Sequence, residues 1–325
     1  MSGTGIYRPA PTLHLTRPSD DTLRLQTENS LVELNGSSAD LFEKNILPLL
    51  DGASAVDEVS QKVGLKNPDD LRALLDELKG AGILLENTGD SAFLDHAEML
   101  GIDRSGIKER LKDLRVAIIG DGQLAQEIHQ GLCDVPVGHV TMVSWSSENQ
   151  GKDLSLEALI SLAQDNEYLI STLGDAFPAI DYRVNRAVHE TGTAALFCRV
   201  GLTKSTVGPL VFPSETACFT CWRMRSAACA DDFERFMEFE ESAADRDQPI
   251  AHPTAKIGFL AQIVAGTAIT ELLKSALALG EVSVTDRLLE YEPFKGGWQQ
   301  HTLLRRPDCP DCSKKKFSFQ IDQIL

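Results

Sequence analysis

Apolar and polar residues alternate through residues 12–34, "TLHLTRPSDDTLRLQTENSLVEL", and this period of two predicts three short strands, with "RPSDD" as the first hairpin turn. Helical spacing follows in "ADLFEKNILPLL", "AVDEVSQKVG" and "PDDLRALLDELKGAGILL". In the last of these, Leu71, Leu74, Leu75 and Leu78 fall on one helical face. Pro68, Asp69 and Asp70 suit its first turn, and Gly80 and Gly82 suit its end. Three strands beside three helices make a winged-helix-like unit, expected over residues 1–90.

Residues 91–113 read as a linker with one short amphipathic helix. From Leu114 the pattern becomes strand, glycine turn, helix, strand: "LRVAIIG", "DGQLAQEIHQGL", "HVTMVSW". That order is the parallel βαβ unit. "EYLISTL" and "AALFCRV" add strands, "PAIDYRVNRAVHETG" adds a helix, and "TAKIGFLAQIVAGTAITELLKSAL" forms a long helix with small residues suited to close packing. The acidic stretch "DDFERFMEFEESAADRDQP" reads as a solvated helix or loop. The expected fold class is α/β, with a Rossmann-like domain over residues 114–325.

A net charge of −17 and a pI near 4.8 repel phosphate backbones, which argues against nucleic acid as a general partner. No apolar run approaches the roughly 18–20 residues that span a bilayer, so no membrane role is expected. The start "MSGTGIYRPAPT" lacks the basic and apolar regions of a signal peptide, which points to the cytoplasm. In that reducing compartment seven cysteines are a poor disulfide framework, and paired ones read first as metal ligands.

Four of the seven stand in two Cys-x-x-Cys turns, Cys218 with Cys221 and Cys309 with Cys312. Each turn presents two sulfurs on one side, and two turns complete a tetrahedral zinc shell with no position left for a catalytic water. Such a metal would staple the end of the chain to the loop after "GPLVFP". Unrelated buried thiols and a redox dithiol are the other readings. The redox reading is the weaker, because neither pair sits at the strand-to-helix turn of a thioredoxin-like unit. Cys133, Cys198 and Cys229 read as ordinary thiols.

Gly120 and Gly122 follow a strand and open a helix, where backbone amides could face a phosphate. The third glycine of the dinucleotide fingerprint is missing, and the next strand ends without an acidic residue. Gly120, Gly122 and Asp175 are therefore weak nucleotide candidates, with Asp121 as a further carboxylate, and an architectural turn is the other reading.

The incomplete glycine turn, "GPLVFPSETACFTCW" and "HTLLRRPDCPDC" together resemble the ubiquitin-activating-enzyme-like (ThiF-like) adenylation superfamily. More closely they resemble the branch that accompanies YcaO-type cyclodehydratases, with an N-terminal recognition element for ribosomally made peptides and a zinc-binding synthetase subunit of the microcin type. The resemblance implies a structural Zn2+ and a leader peptide added as a strand along Ser30, Leu31, Val32, Glu33 and Leu34. Leu71, Leu74, Leu75 and Leu78 would be shared between the core and the groove beside that strand. Arg72 and Lys79 are expected in solvent, within reach of an acidic leader residue.

The superfamily's active members carry an acid and an arginine near the second strand, which "MVSWSSENQGKD" does not match. The resemblance therefore implies a non-catalytic scaffold that presents a precursor peptide for thiazoline or oxazoline formation, as in bacteriocin and antibiotic biosynthesis. ATP would be used by the YcaO-type partner. A flavin dehydrogenase and a homodimer within the complex are further expectations. The alternative is an active adenylating enzyme acting on a peptide or carrier protein. A DNA-binding regulator is disfavoured by the acidic charge and by "PDDLRALLDELKG", which lacks the basic face of a recognition helix.

Overall fold

The computed structural model describes residues 5–65, 67–120, 122–144, 154–173, 178–244 and 257–313. The chain divides into two compact units, one ending at Ile107 and the other starting at Lys108.

In the first unit β1 (Tyr7–Pro9), β2 (His14–Ser19), β3 (Thr22–Gln26) and β4 (Leu31–Asn35) lead into α1 (Ser37–Leu41). The chain continues through a π turn (Phe42–Ile46) and a 3-10 turn (Leu47–Leu49) to α2 (Val56–Val63), α3 (Pro68–Gly80), β5 (Leu84–Glu86) and α4 (Ala92–Met99). β2, β3 and β4 form an antiparallel sheet in that order, so β4 is an edge. Leu23 and Leu25 on β3 are fully buried, and Leu34 and Val32 stand opposite them in the register. Opposed residues of an antiparallel pair share a face, so Val32 and Leu34 point to the core. Leu31, Glu33 and Asn35 point to the other face, where Arg24 meets Glu33 at 2.7 Å.

Helix α3 begins where the pattern placed it. Asn67 accepts the Asp69 N–H at 3.2 Å, Pro68 fills the first turn, and Leu71, Leu75 and Leu78 are buried. The helix expected over residues 39–50 is instead three short pieces. Pro48 has no N–H to offer the Lys44 carbonyl, so the regular ladder cannot run through it. The pairing of β1 with β5 joins segments far apart in sequence, each only three residues long, and the pattern gave no sign of it. The stretch read as a linker with one helix holds two, α4 and α5 (Arg104–Asp113).

The second unit contains β6 (Arg115–Ile119), α6 (Gln123–Asp134), β7 (His139–Val143), α7 (Leu156–Asp165), β8 (Tyr168–Ser171), α8 (Pro178–Thr191), β9 (Ala194–Arg199) and β10 (Ser205–Val211). It continues with α9 (Phe219–Ala228), α10 (Phe233–Ala244), α11 (Gly258–Ala276), β11 (Arg287–Glu292) and β12 (Gly297–Thr302). One sheet runs β12-β11-β10-β9-β8-β6-β7. The pairs among β7, β6, β8 and β9 are parallel, and those from β9 through β12 are antiparallel. Val116–Ile119 on β6 and all of β8 are buried, as expected of strands covered on both faces. Ala117, Ile119, Leu169 and Phe197 join the core formed by α7, α8 and the cysteine turns. α6 and α11 pack together, and α11 also contacts β9 and β10.

The acidic stretch after the first cysteine pair forms α10 over its described part. Among the described residues, no helix is long and apolar enough to cross a membrane.

Leu75 is fully buried at the centre of the first unit, so Leu75→Ala is expected to destabilise that unit by roughly 2–5 kcal/mol. The described tryptophans, Trp222 and Trp298, lie in the second unit. The loss should therefore appear as faster hydrogen exchange over residues 22–35 and 68–80, with tryptophan fluorescence unchanged.

Candidate functional site

The first cysteine turn is set by α9. Cys218 is its N-cap residue, with Sγ accepting the Cys221 N–H at 3.5 Å, and Cys221 lies within the first turn. The second turn, "CPDC", follows the β11–β12 hairpin. The structure brings all four predicted ligands together: Cys218, Cys221, Cys309 and Cys312 are buried, with every sulfur within 4.8 Å of the others. The shortest pairs, Cys218 to Cys309 and Cys221 to Cys312, are 3.6 and 3.4 Å apart. That is well beyond the roughly 2.0 Å of a disulfide and close to the edge, about 3.8 Å, of a tetrahedron with 2.3 Å metal–sulfur bonds.

Hydrogen bonds to Cys221 first, then to Cys309 and Cys312, push the Cys218 thiol above its ordinary range. Its interaction with Cys218 pulls Cys221 down, and the same neighbour pulls Cys312 down to about 7. Four thiols held this closely divide their protons unequally, and a thiophilic metal that takes the protons' place relieves the crowding. The Arg306 N–H also donates to the Cys221 sulfur at 3.3 Å, which supports thiolate there.

The group that ties the two turns together was not identified from the pattern. Asn185 on α8 is fully buried, donates to Thr220 Oγ1 at 3.2 Å and to Asp311 Oδ2 at 3.0 Å, and accepts the Phe219 N–H at 3.1 Å. The Thr220 hydroxyl also donates to Asp311. A polar residue on a largely apolar helical face, one turn after Asp181, was the available signal. Arg305 adds bonds to the Ser214 and Cys312 carbonyls.

At the glycine turn, Gly120 has φ +139°, and a Cβ there would lie 2.1 Å from Thr172 Oγ1. Its N–H is already donated to the Val143 carbonyl at 2.8 Å. The requirement for glycine therefore comes from strand packing. Gly122 is the exposed, extended N-cap of α6, with open space around it. Asp121 and Asp175 lie outside the described residues, and β7 leads out through Met142, Val143 and Ser144.

A separate pocket opens beside the end of β9, lined in part by Asp181, Cys198, Arg199, Thr206, Trp222 and Arg223. The guanidiniums of Arg199 and Arg223 lie 5.8 and 5.6 Å from the Trp222 ring, and Glu240 on α10 takes an ion pair from Arg223 and a hydrogen bond from Tyr182. Burial pushes the Cys198 thiol far above its ordinary range, so it is a poor nucleophile. Sequence reasoning missed this pocket because its lining is gathered from separate elements.

In the first unit, Leu31 on β4 is exposed, Val32 and Leu34 are half-buried, and Glu33 faces outward beside Arg24. On α3, Leu71, Leu75 and Leu78 are core, while Leu74 is half-buried and packs on the same core as Val32 and Leu34. Arg72 and Lys79 are not free in solvent. Arg72 meets Asp57 at 3.2 Å and Lys79 meets Glu86 at 2.6 Å.

Residues 152–311, from ahead of α7 to the second cysteine turn, match the ThiF family. No curated protein sequence matches the chain. Among solved structures, a heterocyclase in complex with substrate and cofactor aligns over 95% of this chain and 40% of its own, with a TM-score of 0.58 and 18% identity. The heterocyclase TruD aligns over 95% of this chain and 43% of its own, with a TM-score of 0.56 and 18% identity. The microcin C7 biosynthetic enzyme MccB, in complex with N-formylated MccA, aligns over 94% of this chain and 99% of its own, with a TM-score of 0.55 and 12% identity. The fold is thus shared with all three, and the chain spans less than half the length of the two heterocyclases.

Metal analysis of the purified chain should give about one thiophilic divalent ion per molecule. Replacing Cys309 and Cys312 by Ser should abolish that content and alter the emission of Trp222, which follows Cys221 and packs on Phe219 at 5.5 Å. Full retention of structure without metal would exclude a stapling role.

Proposed function

We propose that this chain is the leader-peptide-binding scaffold subunit of an azoline-forming cyclodehydratase complex. Residues 1–90 form a winged-helix-like recognition domain that adds an extended leader peptide to the β4 edge. Residues 114–325 form an adenylation-like scaffold whose four cysteines hold a structural Zn2+. A separate YcaO-type enzyme uses ATP to activate the backbone amide and closes thiazoline or oxazoline rings at Cys, Ser or Thr of the precursor.

The observation that carries this reading is the extent of the fold likeness. It runs through 95% of the chain, both units included, and matches a heterocyclase solved with its substrate. The β4 edge, unpaired among the described residues and with half-buried Val32 and Leu34 beside it, offers main-chain hydrogen bonds and apolar contact to a strand. Gly120 is accounted for by packing against Thr172 and does not itself call for a nucleotide.

Reconstitution tests the proposal. A YcaO-type enzyme and a precursor peptide encoded beside this gene should lose ring formation at least tenfold when this chain is omitted. Equal turnover without the chain would overturn the scaffold. Peptide-dependent exchange of labelled pyrophosphate into ATP by the chain alone would favour the adenylating enzyme instead.

A further inference from the structure

Each Cys-x-x-Cys turn carries a polar residue just ahead of its last sulfur, Thr220 before Cys221 and Asp311 before Cys312. The sulfur contacts show how the two turns face one another. Cys218 meets Cys309, first cysteine with first, and Cys221 meets Cys312, last with last. The polar residues meet in the same register, because the Thr220 hydroxyl donates to Asp311 Oδ2. One alignment of the turns is thus written twice, once in sulfur and once in oxygen.

Asn185 closes the second of these contacts from α8. Its amide nitrogen has two hydrogens, and Thr220 Oγ1 and Asp311 Oδ2 accept one each at 3.2 and 3.0 Å, while Oδ1 accepts the Phe219 N–H at 3.1 Å. Only one orientation of the amide satisfies these partners. A carboxylate accepts and does not donate, so the nitrogen must face Asp311 and the oxygen must face the backbone N–H. Asn185 and Thr220 are both buried, so a bond lost here leaves a polar group unpaired. Asp311 also meets Arg186 of α8 at 3.5 Å. One helix outside both turns therefore holds each of them by the residue next to its last cysteine.

We propose that Asn185 is a positioning residue of the metal centre: through Thr220 and Asp311 it fixes the register of the two cysteine turns and so sets how tightly the four sulfurs hold a metal. The inference rests on the metal-site reading and is independent of leader binding. The turns stand 91 residues apart along the chain, so their mutual register has to come from contacts between them. Groups that orient ligands from outside the coordination sphere typically carry about 10–100-fold of the affinity. A residue serving the fold alone would lower stability and leave the affinity of the folded protein unchanged.

The probe is the metal itself. The full chain, stripped of metal, is titrated with Co2+, followed by its thiolate-to-cobalt absorption, and the affinity is fixed by competition with a chelator. Asn185→Asp sets a second carboxylate against Asp311 and should weaken binding by about tenfold or more. Asn185→Asp/Asp311→Asn exchanges donor and acceptor across the same contact and should recover affinity to within about threefold of the unaltered chain. Hydrogen exchange over β6 and β8, which reports the fold separately, should match in all three proteins. Undiminished affinity in Asn185→Asp, or a double variant no tighter than the single one, would overturn the positioning role and leave the metal site standing. An unaltered chain that takes up no Co2+ would overturn both. If Asn185→Asp does not fold, Thr220→Val removes the shared hydroxyl without adding charge; a loss of about three- to tenfold is expected there, and unchanged affinity would count equally against the role.

Discussion

The contact on which the second unit depends is the meeting of Cys218 and Cys221 with Cys309 and Cys312. Partners across it stand 91 residues apart, and between them lie α9, α10, α11 and the β11–β12 hairpin. Without a cross-link, closing such a loop costs chain entropy that grows slowly with length; a covalent link of this span contributes about 4–5 kcal/mol in the same arithmetic. Asn185, Thr220 and Asp311 make the closure directional. They tie both turns to α8, beside the apolar layer of Phe197 and Phe219 that packs with the four cysteines. The antiparallel extension β10-β11-β12 is held by this closure at the chain's end and by the parallel strands at the other side.

Legibility in the sequence followed locality. The cysteine turns were visible because metal ligation demands a residue type at a fixed short spacing. Helix α3 and the β6-α6-β7 unit were visible because each carries its own cap or turn chemistry. The β1–β5 pair was hidden, since two three-residue segments hold too little pattern to announce a partner. The break in the helix over residues 39–50 was signalled by Pro48 alone, and the π and 3-10 geometry that resolves it depends on how Phe42 and Ile46 reach the core. Asn185 and Glu240 were hidden for a related reason. A buried polar side chain is written into the sequence as an exception to a helical face, and its partners lie on elements that only the fold brings near.

Helix α3 shows how a sequence can place an element and mislead about its charges. Arg72 and Lys79 are the cations of α3 and invite an acidic ligand. Once the helix is placed, Arg72 meets Asp57 of α2 and Lys79 meets Glu86 of β5, while Asp70 and Glu77 stay exposed. Two residues separated by a fraction of a helical turn can face different partners, so summed charge along a helix says little about the field in one groove.

The glycine turn separates what the fold needs from what nucleotide chemistry needs. Gly120 is fixed by contact: any side chain would meet Thr172, whose hydroxyl donates to the Ile119 carbonyl at 3.0 Å and holds the ends of β6 and β8 together. Gly122 is under no such constraint, being exposed with open space where a Cβ would stand. The first glycine is demanded by the sheet itself, Gly122 stands where no contact demands it, and the third position is taken by the buried Ala125. Phosphate binding would make the opposite demand, since it uses the open N–H groups at the helix start and leaves no room for side chains there. Glycine at 120 is thus explained by its backbone angle and by its contact with Thr172, and glycine at 122 by neither.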